Sequence, residues 1–132
     1  MLSVAAGARV GYQFGMPLIE VRTSAAAPQG AAGGSLMGDL SRLLAKRFGK
    51  PERWVMTGLQ ANLTMTFGGS TAPAAYVEVK NVGKMSPDDT TTLSGEICER
   101  LAAGLGVPRD RIYIEFADAA GYLWGWNGET FG

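Results

Sequence analysis

Hydrophobic residues follow a strand pattern and then a helix pattern in the first part of the chain. Residues 18–23, LIEVRT, are rich in β-formers, and the Ala-, Gly- and Pro-rich residues 24–35 interrupt that pattern. The next apolar residues recur at the spacing of an amphipathic helix: Leu36, Leu40, Leu43, Leu44 and Phe48. Gly49 and Pro51 are typical of a helix end, so the pattern predicts a strand followed by a helix.

The clearest strand pattern covers residues 55–67. Apolar residues occupy one parity of this stretch, with Thr57 as the polar exception: Val55, Leu59, Ala61, Leu63, Met65 and Phe67. Polar residues and Gly58 occupy most of the other parity. A period of two over this length predicts one long strand, with one face on a core and the other in a more polar environment.

A second strand–helix–strand pattern follows. Residues 74–80, AAYVEVK, predict a strand, and residues 86–89, SPDD, predict a helix start with Ser86 as its N-cap. Residues 106–118, GVPRDRIYIEFAD, predict a turn and another strand. The helix between the strands has an apolar stripe, which consists of Leu93, Ile97, Leu101 and Leu105.

The second pattern repeats the first at an offset of 57 residues, since Gly106 and Pro108 occupy the places of Gly49 and Pro51. The repeat predicts a duplicated βαβ unit with right-handed crossovers. The expected fold is α+β, with a four-stranded mixed sheet and two helices on one face. The alternative is a chance similarity between two strand–helix–strand segments.

The two helices leave the opposite face of the predicted sheet without a partner. The residues expected on that face are polar or aromatic: Gln60, Asn62, Thr64, Tyr76, Glu78, Tyr113 and Glu115. Such a face is compatible with solvent, with a subunit interface or with a lumen, and the pattern does not choose among them.

Composition narrows the possible chemistry. The chain has 132 residues, which suits one domain, and its 12 basic and 12 acidic residues give no electrostatic indication of a nucleic-acid or acidic-membrane partner. No apolar run approaches the ~20 residues that a membrane span needs. With no histidine and a single cysteine, Cys98, the sequence excludes Ser-His and Cys-His dyads, and we predict no metal site. Catalysis would use amines, carboxylates, phenols or backbone groups.

Residues 1–15 precede the regular pattern and fit no targeting signal well, because Arg9 interrupts their apolar run. We interpret them as an N-terminal extension: an expression scar, a misassigned start or a weak targeting segment. Residues 16–132 are then a single domain whose natural start is Met16.

Five collinear motifs resemble the macrophage migration inhibitory factor family of tautomerases: MPLIEV, GKPERWV, FGGSTAPAAYVEVKNVGKM, DRIYIEFAD and GWNGETFG. The resemblance covers residues 16–132. It implies a tautomerase-type homotrimer whose sheets surround a central channel, with each site between adjacent subunits. It also implies cofactor-independent keto–enol tautomerisation of aryl pyruvates, such as phenylpyruvate and hydroxyphenylpyruvate, with dopachrome-like compounds as model substrates.

In such a site Pro17 would be the general base and then the acid. Moving a proton between carbon and oxygen needs a base with a pKa near neutrality, and apolar surroundings lower the pKa of a free secondary amine. If residues 1–16 remain attached, the Pro17 nitrogen is an amide without a hydrogen, and the full chain is expected to be blocked. The alternative role of Pro17 is simply to open an edge strand.

The resemblance also implies four substrate-binding residues. Lys50 matches the family lysine that holds the substrate carboxylate, although a cation at a helix end is its alternative role. Val82 falls where the family offers a backbone N–H to the same carboxylate. Tyr113 matches a pocket tyrosine, and Glu115 stands where animal members have asparagine. Tyr113 and Glu115 share one strand face and are expected to reach the site of a neighbouring subunit.

Five further residues match positions that border the family's pocket: Leu18, Trp54, Trp124, Trp126 and Phe131. Ordinary packing is the alternative role for the aromatic ones. The Cys-x-x-Cys of animal members is replaced by AAYV at residues 74–77, so we predict no thiol redox activity. Cys98 is expected to be a packed thiol.

Two other functions stay open: a cytokine-like trimeric signalling or binding protein with no catalytic requirement, and a relative whose tautomerase site is vestigial. Lys50 and Tyr113 favour the enzyme, with a small aromatic 2-oxo acid as substrate. No secretion signal is visible, which favours a cytoplasmic location, although members of this family can leave cells without one.

Overall fold

The computed structural model describes residues 16–132, and the predicted extension 1–15 lies outside the described residues. The main strands and helices follow the predicted order: β1 Leu18–Thr23, α1 Ala32–Phe48, β2 Met56–Gln60, β3 Ala75–Val82, α2 Pro87–Leu105 and β4 Ile112–Ala119. A short hairpin ends the chain, with strands β5 Gly125–Trp126 and β6 Glu129–Thr130. Within residues 16–132 there are also three single-turn 3-10 helices: Glu52–Trp54, Arg109–Arg111 and Gly121–Leu123.

The main sheet has the strand order β2-β1-β3-β4. Strands β1 and β2 are parallel, β3 and β4 are parallel, and the antiparallel pairing of β1 with β3 joins the two halves. The repeat extends to local geometry, since Gly49 and Gly106 end their helices in the left-handed region at φ 62° and 71°. A 3-10 turn follows each of these glycines. The predicted duplicated βαβ unit and mixed sheet are confirmed.

The hydrophobic core lies between the two helices and one face of the sheet. Its fully buried side chains come from both halves: Ile19, Val21, Leu40, Leu44, Val77, Val79, Leu93, Ile97, Leu101 and Val107. Cys98 packs in this core, as predicted, and burial raises the pKa of its thiol. The core takes the odd-numbered residues of β1 and β3, so the even-numbered ones occupy the opposite face, which we call the open face.

The long strand predicted over residues 55–67 is wrong in its second half, because β2 ends at Gln60. Asn62 lies in the left-handed region at φ 61°, which breaks the extended chain. The Asn62 and Leu63 N–H groups donate to the Ala25 and Thr23 carbonyls at 2.9 and 3.0 Å, so the chain folds across the end of β1. Asn62 and Thr64 therefore lie beyond the sheet rather than on its open face.

Candidate functional site

A cavity of about 290 Å³ lies where β1 and β2 begin. All five predicted pocket-lining residues contribute to it together with Pro17: Leu18, Trp54, Trp124, Trp126 and Phe131. Met16 and Met56 also line it, and sequence reasoning missed both. We call this space the Pro17 cavity. Its lining is almost entirely apolar, which suits an aromatic ring better than a polar ligand.

Aromatic contacts fix the shape of the Pro17 cavity. The Trp54 and Trp126 rings meet edge to face, with centroids 5.0 Å apart at 77°, and Trp126 stacks on Phe131 at 6.2 Å and 13°. The Phe131 N–H donates to the Gly121 and Trp124 carbonyls, which ties the end of the chain to this region. The Arg53 guanidinium lies 5.4 Å from the Trp54 ring centre. Segments distant in sequence thus form one aromatic surface.

Pro17 is fully buried at the base of β1, and its carbonyl accepts a hydrogen bond from the Met56 N–H at 3.1 Å. Its nitrogen is acylated by Met16, so it has no hydrogen and no useful basicity in this chain. The Met16 side chain is itself buried and packs with Val82 and Phe131. Residue 16 therefore occupies space beside the very nitrogen that the predicted chemistry needs.

Lys50 and Val82 approach the same end of the sheet from different elements. Lys50 follows α1 directly, its N–H donates to the Ala45 carbonyl at 2.9 Å, and burial lowers the pKa of its side chain. Val82 is the last residue of β3. Neither residue is among the described residues that line the Pro17 cavity.

Tyr113 and Glu115 lie at the other end of the sheet. Tyr113 pairs with Tyr76 near the start of β3, and Tyr76 pairs with Arg22 near the end of β1, whereas Pro17 precedes the first residue of β1. The Tyr113 side chain is 67% exposed and its ring lies 4.8 Å from that of Phe67. A second cavity, of about 260 Å³, is lined there by residues that include these two. Within one chain, Tyr113 and Pro17 therefore lie about the length of β1 apart.

A network of charged and phenolic groups covers the open face next to Glu115. The Tyr76 hydroxyl lies 2.8 Å from Glu115 Oε1 and 2.9 Å from Glu78 Oε2, so its single hydrogen lies between two carboxylates. The hydrogen bond to Glu115, and then that to Glu78, raises the pKa of Tyr76 well above its usual value. The Tyr76 hydroxyl in turn lowers the pKa of Glu78.

Cations surround Glu78 on the same face. Arg22 Nη1 and Lys80 Nζ lie 3.7 and 3.6 Å from the Glu78 carboxylate, and Arg22 Nη2 lies 3.7 Å from Glu20. The Arg22 guanidinium also lies 5.7 Å from the Tyr76 ring centre. Sequence reasoning placed Tyr76 and Glu78 on this face but missed their partnership with Glu115. The signal was available, because the alternation of each strand places all three on the same face of the sheet.

Arg111 organises the loop that supports Tyr113, and sequence reasoning missed it. Its guanidinium donates to four backbone carbonyls, those of Phe67, Ser70, Ala72 and Pro73, at 2.9 to 3.2 Å. It also lies 5.3 Å from the centre of the Phe67 ring, which contacts Tyr113. Lysine could not reproduce this arrangement, because only a planar fork of N–H groups reaches several carbonyls at once.

The described residues contain no group of three or more His, Cys, Asp or Glu side chains that could hold a metal ion. Within the same part of the chain, no helix is long and apolar enough to cross a membrane.

Residues 16–132 match the family described as macrophage migration inhibitory factor (MIF). A protein of that name from Xenopus tropicalis is 35% identical over 97 residues, which make up 74% of this chain and 84% of the relative. The crystal structure of a macrophage migration inhibitory factor homologue from Prochlorococcus marinus is similar with 47% identity and a TM-score of 0.81, over 87% of this chain and 99% of that one. The crystal structure of Leishmania major MIF2 has 30% identity and a TM-score of 0.79, over 87% and 97%.

We expect Arg111→Lys to loosen the loop of residues 67–73, because lysine cannot hold four carbonyls. Loss of about 1–2 kcal/mol of local hydrogen bonding corresponds to roughly tenfold faster amide exchange at Phe67, Ser70 and Ala72. Hydrogen-exchange mass spectrometry of the folded protein measures this change. Arg109→Lys, in the same turn but exposed, is the matched control. Equal protection in the two variants would show that Arg111 does not organise the loop.

Proposed function

Because the chain belongs to the macrophage migration inhibitory factor family, we propose that it is a cofactor-independent keto–enol tautomerase of aryl pyruvates such as phenylpyruvate and hydroxyphenylpyruvate. The observation that supports this function most directly is the position of Pro17. It lies buried at one side of an apolar, aromatic-lined cavity, where a free proline amine would have a lowered pKa. Dopachrome-like compounds are suitable model substrates.

In the proposed reaction the Pro17 nitrogen takes a proton from the carbon next to the substrate's keto group. The electron pair of that C–H bond forms the enol double bond, and the carbonyl electrons move to oxygen. The secondary ammonium of Pro17 then returns the proton to that oxygen. No covalent intermediate and no cofactor are needed, and one group serves as base and acid if its pKa is close to neutrality.

Substrate binding is assigned to both ends of the sheet. Lys50 would bind the substrate carboxylate as a point charge, with the Val82 backbone N–H as a second donor. Leu18 and the aromatic residues of the Pro17 cavity would enclose the ring: Trp54, Trp124, Trp126 and Phe131. Tyr113 and Glu115 would contact the substrate from a neighbouring subunit.

A homotrimer is part of this proposal. Pro17 and Tyr113 lie at opposite ends of one sheet, so a single chain cannot bring them to the same substrate. Tyr113 is largely exposed, as expected for a residue that reaches into a neighbour's site. The open face, with its paired charges, would lie toward the centre of the assembly. The predicted cytoplasmic location stays a prediction.

The alternative function is that of a signalling or binding protein with no catalytic requirement. One observation favours it for the 132-residue chain, since the Pro17 nitrogen is acylated and Met16 is buried beside it. That molecule has the scaffold of the proposed enzyme without its base. The prediction that Met16 is the natural start, and that its removal exposes Pro17, distinguishes the two functions.

We expect activity only after removal of residues 1–16, because only then does Pro17 have a basic nitrogen. The comparison is between residues 1–132 and a chain beginning at Pro17, each with its N-terminus verified by mass spectrometry. Enolisation of phenylpyruvate, followed by ultraviolet absorbance, should fall by at least about a hundredfold in the longer chain, in line with the usual contribution of a general base. A chain beginning at Pro17 with Lys50→Met tests carboxylate binding separately, through KM. Equal activity of the two lengths would contradict the assignment of Pro17.

We also expect Glu115→Asn to change the preference between phenylpyruvate and hydroxyphenylpyruvate. A carboxylate accepts a hydrogen bond from a ring hydroxyl but donates none, whereas an amide can do both. The measurement is the ratio of kcat/KM for the two substrates in the chain that begins at Pro17. Glu99→Gln, on the exposed surface of α2, is the control. An unchanged ratio would remove Glu115 from the substrate contacts.

A further inference from the structure

Asn81 is buried with a hydrogen-bond acceptor left unmatched. Its side chain is 2% exposed, and its Oδ1 atom has no hydrogen-bond partner. Thr23, also polar and fully buried, is satisfied, because its hydroxyl donates to the Ala74 carbonyl at 2.8 Å and accepts from the Ala25 N–H at 3.1 Å. Buried polar atoms in proteins are paired as a rule, so the unmatched oxygen of Asn81 requires an explanation.

The strand register places Asn81 opposite Pro17. In the antiparallel pairing, Ile19 lies opposite Val79 and Leu18 opposite Lys80, so the next step brings Pro17 opposite Asn81. Ile19 and Val79 are buried on the helix side, and strand alternation puts Pro17 and Asn81 on that same side. The Pro17 carbonyl bonds instead to Met56 of β2. This is the pattern of a non-hydrogen-bonded pair one step beyond the ladder, and in such pairs the side chains lie closest and the Cα atoms are typically ~4.5 Å apart.

We propose that Asn81 is a positioning residue for the Pro17 amine, whose N–H donates to Asn81 Oδ1 directly or through one water once residues 1–16 are removed. This inference rests on the proposed function, which requires a free Pro17. In the longer chain the acylated nitrogen has no hydrogen, so the acceptor stays unmatched. Cleavage before Pro17 supplies one N–H on the neutral amine and two on the secondary ammonium.

The hydrogen bond would oppose the effect of the apolar cavity. The cavity disfavours the charged form of the amine, whereas an acceptor at Asn81 favours it. The charged residues of the surrounding elements are Asp118, which shares a ladder position with Asn81, Lys84 after β3, and Lys50, Glu52 and Arg53 between α1 and β2. Asp118 accepts from the Met85 N–H at 3.1 Å. Asn81→Leu changes none of these charges, so a shift of the Pro17 pKa in that variant reports the loss of the Asn81 amide.

The test uses Asn81→Leu, an apolar replacement of similar shape, in the chain that begins at Pro17. Nitrogen NMR of ¹⁵N-proline-labelled protein gives the pKa of the Pro17 amine without reference to activity. We expect this pKa to fall by about one unit, since a lost hydrogen bond to a charged group has about that effect. Because the base is the neutral amine, activity rises with pH through this pKa, and the acid limb of kcat/KM should move to lower pH. Asn81→Asp, which keeps an acceptor and adds charge, should raise the pKa.

The two chain lengths give a second, independent measurement. In the 1–132 chain the acceptor is unmatched, so Asn81→Leu should leave stability toward urea unchanged or increased. In the chain that begins at Pro17, the same variant should be destabilised relative to its parent. Thr23→Val, at the far end of β1, is the control and should destabilise both lengths equally.

An unchanged Pro17 pKa in folded Asn81→Leu and in Asn81→Asp would overturn the proposal, as would equal stability effects in the two lengths. These results do not depend on turnover. A chain that shows the predicted pKa shifts but no enolisation would contradict the proposed function and leave the role of Asn81 intact.

Discussion

The antiparallel pairing of β1 with β3 is the interaction on which the rest of the structure depends. It joins two βαβ units at the centre of the sheet, with Ile19 against Val79 and Val21 against Val77. All four side chains are essentially inaccessible to solvent, and burying each contributes about 1.5–3 kcal/mol. Because the two strands run in opposite directions, the start of β1 meets the end of β3. The parallel partners then place β2 and β4 at the two edges.

This geometry determines where chemistry can occur. The helices use one face of the sheet for the core, so polar residues of both halves share the open face, where Arg22, Tyr76, Glu78 and Glu115 satisfy one another. The first residues of β1 lie among loops that supply aromatic side chains and form an apolar cavity. The start of β4 is held at the opposite end by Arg111 and its loop. A site that uses both ends has to be shared between copies of the chain.

The sequence predicts the parts of this fold that depend on local pattern. Helix α1 and its stop at Gly49, the second βαβ unit and the repeat itself are all set by residues near one another along the chain. The break after Gln60 was not predictable in this way, because alternation continues to Phe67 while Asn62 turns to bond with Ala25. The group around Tyr76 needs the register of β3 with β4, and the contacts of Arg111 need a loop some forty residues away in sequence.

The candidate site also combines residues that sequence motifs predict with residues that only the three-dimensional structure reveals. Motif similarity identifies Pro17, Lys50 and Tyr113, and the structure places Leu18 and the four predicted aromatic residues around one cavity. Asn81 has no motif of its own. Its importance comes from burial and register together, since its side-chain oxygen lacks a partner and the next step of the β1–β3 register brings Asn81 opposite Pro17.

The central claim, that each site needs both ends of the sheet from different subunits, is tested most directly by mixing inactive chains. Both chains begin at residue 17; one has Pro17→Ala and the other has Tyr113→Ala. The two chains are refolded together, and native mass spectrometry verifies that mixed oligomers form. Shared sites predict that the mixture regains activity that neither variant has alone, because some sites combine an intact Pro17 with a neighbour's intact Tyr113. Mixed oligomers with no activity beyond the average of the two variants would contradict the account.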